Sequence, residues 1–127
     1  MSDDAKKRVL LIDGHQDDRQ YWADWLRTTS TEYEVVEANN GQAGLELCRR
    51  QQFDCVVLEL ELPGAFEVLS HVGIDRPRSA MVVLTRISAP SLLNLAEKNG
   101  AQVCLSKGRT SGPELDEAIR QALHQWN

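Results

Sequence analysis

A chain of 127 residues is the size of one domain, long enough to bury a core without disulfide or metal staples. Its formal charge of −5, with Lys and Arg scattered along the chain, excludes a general nucleic-acid binder, whose phosphate affinity rests on clustered cations. Cys48, Cys55 and Cys104 are odd in number, widely spaced and set in apolar surroundings, which fits reduced core thiols, and the charged start MSDDAKKR offers no signal peptide, so the expectation is a cytoplasmic protein away from the membrane.

Residues 1–7 read as a flexible N-terminal segment and 8–127 as the domain. RVLLID (8–13) has the length and composition of a first strand. Residues 16–29 follow with helical spacing, Tyr21, Trp22, Trp25 and Leu26 on one stripe; Asp17 and Asp18 fall in the first turn, where the helix dipole favours negative charge. YEVVEA (33–38) is a second strand, and 41–51 a helix carrying Leu45, Leu47 and Cys48. DCVVLEL (54–60) is a third strand, with Glu59 and Glu61 placed where the apolar run gives out. A helix over 65–72 carries Phe66, Val68 and Leu69, AMVVLT (80–85) is a fourth strand, and 89–98 a helix with Leu92, Leu93, Leu95 and Ala96. QVCLS (102–106) is the fifth strand. The last helix, 111–126, opens on Ser111 and Glu114 at capping-box spacing with Pro113 in the first turn, and aligns Leu115, Ala118, Ile119, Ala122, Leu123 and Trp126.

Strand and helix thus alternate five times, and several strands are apolar on consecutive positions, the mark of a parallel sheet covered by helices on both faces. Functional groups of such sheets gather at the carboxyl ends of the strands. Those ends read Asp13-Gly14, Glu59 with Glu61, Thr85-Arg86, and Ser106-Lys107-Gly108. If the first, third, fourth and fifth strands are neighbours, one edge collects carboxylates, a hydroxyl and an ammonium group. A lysine there is costly to bury unless paired, and Glu59 is the expected partner of Lys107. Other chemistries lack their residues: ANNGQAG has no G-x-G-x-x-G, and His71 and His124 fall in helices away from the strand ends.

The motifs LLIDG, VVEANNGQAGLEL, DCVVLELELPG, VVLT and GAQVCLSKG, in this order over about residues 8–126, resemble the receiver domains of two-component response regulators, similar in layout to the bacterial chemotaxis regulator. The resemblance implies a flavodoxin-like doubly wound sheet, strand order 2-1-3-4-5, with five helices. It also implies an acidic pair after the first strand that helps hold a divalent metal, and an aspartate ending the third strand that accepts a phosphoryl group from a histidine kinase. A hydroxyl from the fourth strand and a lysine from the fifth bind the phosphoryl oxygens. Asp13, Thr85 and Lys107 match these positions.

Other positions depart from the pattern. Gly14 stands where the second acid is expected, leaving Asp13 and Glu61 as the acidic residues of a degenerate metal site; Glu59 stands at the phosphoacceptor position. Arg86 puts a long cation over the approach, Cys104 replaces an aromatic at the switch position, Gly108 follows Lys107 in place of a proline, and LPGAFEV is a shorter loop. The expectation is therefore a non-enzymatic pseudo-receiver of the phosphorelay, without a cofactor and with at most weak Mg²⁺ binding, because Mg²⁺ requires near-octahedral oxygen ligation. Its partner is expected to be a signalling protein, a histidine kinase or an attached output domain, met through residues 89–126, and neither nucleic acid nor membrane. A phosphorylation-competent receiver is the first alternative. A flavodoxin-like cofactor enzyme is the second, disfavoured because DGHQDDR is too acidic to cradle a phosphate.

Overall fold

The computed structural model of the chain describes residues 6–29, 32–75 and 79–126. In chain order the elements are β1 (Lys7–Ile12), α1 (Gln16–Thr29), β2 (Tyr33–Ala38), α2 (Gly41–Arg50), β3 (Cys55–Leu58), α3 (Ala65–Ser70), β4 (Ala80–Thr85), α4 (Pro90–Lys98), β5 (Val103–Ser106) and α5 (Gly112–Trp126). A π-helical turn, His71–Asp75, extends α3, and a 3₁₀ turn, Lys107–Arg109, follows β5. Residues 1–5 of the expected flexible segment and the side chain of Trp126 lie outside what is described, and Lys7, expected before the domain, is already in β1.

All strand pairs are parallel, in the order β2-β1-β3-β4-β5 implied by the resemblance. Each strand residue sends its side chain to one face, so consecutive apolar residues fill two cores. Leu10, Ile12, Val56, Leu58, Met81 and Val83 pack under α2, α3 and α4. Val9, Leu11, Val57, Val82 and Leu84 meet Trp22 and Leu26 of α1 and Leu115 and Ile119 of α5.

The helix signals differ in how they are used. The capping box of α5 forms as spaced: Ser111 N–H donates to Glu114 Oε1 at 2.8 Å, and Glu114 N–H to Ser111 Oγ at 3.2 Å. Gly112 permits α1 and α5 to touch, because a Cβ there would lie 2.1 Å from Trp25 Cε2. Tyr21, expected on the buried stripe of α1, is 57% exposed. It sits at the margin of the stripe, and its ring meets Trp22 edge-on at 4.9 Å between centroids. On α4 only Ala96 is fully buried, while Leu92 and Leu95 face outward. β3 stops at Leu58, short of the expected 54–60, and thereby releases Glu59 from the sheet into the site.

Candidate functional site

Because β1 and β3 are neighbours, the residues just beyond them emerge side by side. Asp13 N–H donates to Ala38 O and Glu59 N–H to Ile12 O, each at 3.0 Å, so both backbones stay in the ladder while their side chains turn to the carboxyl edge. Thr85 closes β4 and Lys107 follows β5, two positions that are themselves adjacent. Asp13, Glu59 and Thr85 are buried, with Glu59 only 1% exposed, and the Lys107 side chain is 6% exposed.

The Glu59 carboxylate takes four donors. Oε2 accepts from the Thr85 hydroxyl and, at 2.9 Å, from Glu61 N–H. Oε1 accepts from Arg86 N–H at 3.2 Å and pairs with Lys107 Nζ at 2.8 Å. A carboxylate offers about four lone-pair sites, so both oxygens are saturated. Burial pushes the Glu59 carboxyl up, but the bonds from Lys107, Thr85 and Glu61 outweigh it and hold the group below the ordinary glutamate range.

Lys107 is satisfied in the same way. Its three ammonium hydrogens meet three carboxylates, with Nζ 2.7 Å from Asp13 Oδ2, 2.8 Å from Glu59 Oε1 and 3.0 Å from Asp18 Oδ2. Burial alone disfavours the charged amine, yet Asp13, Glu59 and Asp18 raise its pKa above that of a free lysine. Asp18 is also paired with Arg86 Nη2 at 2.7 Å; burial opposes its ionisation, but Lys107 and Arg86 prevail and lower its pKa. Three carboxylates therefore face two cations, and His15 Nδ1 lies 3.6 Å from Asp13 Oδ1.

Asp13, Glu59, Thr85 and Lys107 are thus brought together as their strand-end positions suggested. Asp18, read as a helix-start charge, belongs to the cluster as well. Glu61 joins through its backbone N–H while the residue itself is exposed, so it adds no carboxylate to the acidic pocket by any hydrogen bond described. Gly14 is exposed and contributes no side chain. Arg86, 53% exposed, crosses to α1 and lines an open recess of about 500 Å³ with Tyr21, Trp22, Ser106 and Gly108. Cys104 is partly buried against the core, its thiol 3.9 Å from Leu93 O and pushed up to about 11 by burial, with Glu97 adding to the effect. Among the described residues no group of three His, Cys, Asp or Glu is placed to hold a metal ion. The carboxylates converge on an ammonium at 2.7–3.0 Å, whereas Mg²⁺ takes its oxygens at about 2.1 Å, so the residues present do not fit that ion.

Comparison with known proteins agrees with this layout. The model of the response regulator receiver domain family matches residues 9–120. A response regulator receiver protein of Anaeromyxobacter sp. (strain Fw109-5) is 29% identical over 103 residues, 80% of this chain and 42% of that protein. The CAI-1 autoinducer sensor kinase/phosphatase CqsS of Vibrio cholerae is 26% identical over 100 residues, 75% of this chain and 14% of that protein. The chain therefore spans less than half the length of either relative. Among solved structures, the CheY-like response regulator receiver domain protein of Methanospirillum hungatei JF-1 superposes with a TM-score of 0.87 at 21% identity, covering 95% of this chain and 96% of that one, a likeness of fold.

Proposed function

We propose, from the premise that this chain belongs to the response regulator receiver family, that it is a degenerate receiver of two-component signalling, working by protein–protein contact and not switched by aspartyl phosphorylation. The observation that carries this reading is the occupancy of the pocket. The Thr85 hydroxyl and the Lys107 ammonium, which the family resemblance assigns to phosphoryl oxygens, are both bonded to the Glu59 carboxylate.

Phosphoryl transfer relies on in-line positioning and on cations that neutralise charge developing on the transferred group. Glu59 has no carboxylate lone pair left for attack, and its two cationic and hydroxyl neighbours are already committed. With the acids arranged around an ammonium, tight Mg²⁺ binding is not expected. Glu59 accordingly replaces a reversible switch by a fixed ion pair.

Receiver domains act with histidine kinases and output domains, and the partner here is a signalling protein of that kind, approached through residues 89–126. The outward-facing Leu92 and Leu95 of α4 support that surface. The formal charge of −5 speaks against nucleic acid as partner, and no helix of the described residues is long and apolar enough to cross a membrane. We read the protein as a non-catalytic cytoplasmic module. Incubation with acetyl phosphate and Mg²⁺ tests this: the intact mass stays unchanged, whereas a phosphoryl adduct on Glu59 or Asp13 makes the domain a competent receiver and overturns the reading.

A further inference from the structure

We propose that the Lys107 ammonium is the resident cation of the carboxylate cluster, and that Asp18 is the positioning residue that locks it there. On this view the ammonium, rather than a shortage of acidic ligands, keeps divalent cations out. This deepens the degenerate-receiver reading and rests on it for the wild-type protein's indifference to such ions.

Three observations lead here. First, Gly14 leaves the end of β1 with one carboxylate, but Asp18 returns a second from a different backbone position, the first turn of α1. Second, the acids come from three separate elements, Asp13 after β1, Asp18 in α1 and Glu59 after β3, and one nitrogen lies within 3.0 Å of all three. Carboxylates brought this close repel one another unless a cation stands between them, and an ammonium with three hydrogens suits three acceptors. Third, Asp18 Oδ2 takes both Lys107 Nζ and Arg86 Nη2, so Arg86 holds Asp18 on the solvent side of the cage. Asp18 is 23% exposed and stands near a helix start, the member of the cluster with most room to move inward.

If Lys107 is removed, the three acids face Arg86 alone, and the buried ones must take up protons or another cation. A hard divalent ion satisfies them, since Asp and Glu oxygens are its preferred ligands at about 2.1–2.6 Å. The present spacing of 2.7–3.0 Å is set by the ammonium and shortens once it is gone.

Mn²⁺ binding followed by electron paramagnetic resonance tests this on the full chain. The wild type is expected to leave Mn²⁺ free at about 1 mM, Lys107→Met to bind it at least about tenfold more tightly, and Lys107→Met with Asp18→Asn to lose most of that gain. A folded Lys107→Met protein that ignores Mn²⁺ overturns the proposal, as does a double variant that binds as tightly as the single one. If the wild type itself binds Mn²⁺ tightly, the degenerate-receiver reading fails too, so the two failures are told apart. Should Lys107→Met not fold with or without Mn²⁺, Asp18→Asn decides: the Lys107 ammonium protons, slow to exchange in the wild type, must exchange faster, and unchanged exchange refutes the lock.

Discussion

Neutralising Glu59 and removing the charge of Lys107 should have unequal costs, and the cluster shows why. In Glu59→Gln the amide oxygen can still accept from Thr85 and Glu61, but its NH₂ then faces Lys107 and Arg86 N–H, so two of four bonds are lost. A hydrogen bond to a charged group is worth about 1.5–3 kcal/mol. Two effects reduce the loss: Lys107 keeps Asp13 and Asp18, and the excess negative charge falls. We expect a cost of about 1–2 kcal/mol. Lys107→Met leaves three carboxylates with Arg86 as their only cation in the cage, and stranding buried charge costs about 3–5 kcal/mol. Urea unfolding at pH 7 of the wild type, both single variants and the double variant closes the cycle. The double variant should be more stable than the sum of the single losses allows, by at least about 1 kcal/mol. Coupling below about 0.5 kcal/mol, or a Glu59→Gln loss as large as that of Lys107→Met, would refute the reasoning.

Further outcomes follow from the same geometry. Glu59 and Asp18 have lowered folded pKa values, so their stabilisation is complete above the unfolded values of about 4 and fades as pH falls through the folded ones; Lys107 is raised, so its share is complete below about 10.4 and fades as pH rises through its folded value. Thermal unfolding across pH should show that plateau, and Lys107→Met should lose its alkaline edge. Glu59→Asp alone should stay unmodified by acetyl phosphate. Gly14→Asp, Glu59→Asp and Arg86→Ala together should gain an Mg²⁺-dependent adduct, since a Cβ at Gly14 meets nothing closer than Asn39 O at 3.5 Å and the loss of Arg86 frees Asp18; full recovery by the single variant would show Gly14 and Arg86 to be immaterial. Gly112→Ala forces a methyl into the Trp25 ring and should cost about 1–3 kcal/mol in urea unfolding, with an unchanged midpoint showing that α1 and α5 do not meet so closely.

The five strands were legible because burial on both faces imposes runs of Val, Ile and Leu that few other elements share. The site was legible where it depends on strand ends, as at Asp13, Glu59, Thr85 and Lys107. Asp18 was not, because an acid in a first helical turn has a sufficient local explanation, and its bond to Lys107 spans 89 positions. Its placement one helical turn beyond Asp13 was the available signal. Tyr21, Leu92 and Leu95 were overvalued as core for a related reason: helical spacing shows which residues share a stripe, and the width of the covering neighbour decides which of them are buried. The π-helical continuation of α3 carries no mark in HVGID that separates it from an ordinary helix end.

The amide NMR spectrum of the wild-type protein with Mg²⁺ and beryllofluoride, a phosphoryl mimic that requires a free acceptor carboxylate, addresses the occupied pocket most directly. If Glu59 already holds Thr85, Arg86 N–H and Lys107, the amides of residues 59–61, 85–87 and 107 should keep their positions. Saturable shifts of those amides that require both Mg²⁺ and beryllofluoride would contradict a closed pocket and show a receiver still open to phosphoryl chemistry.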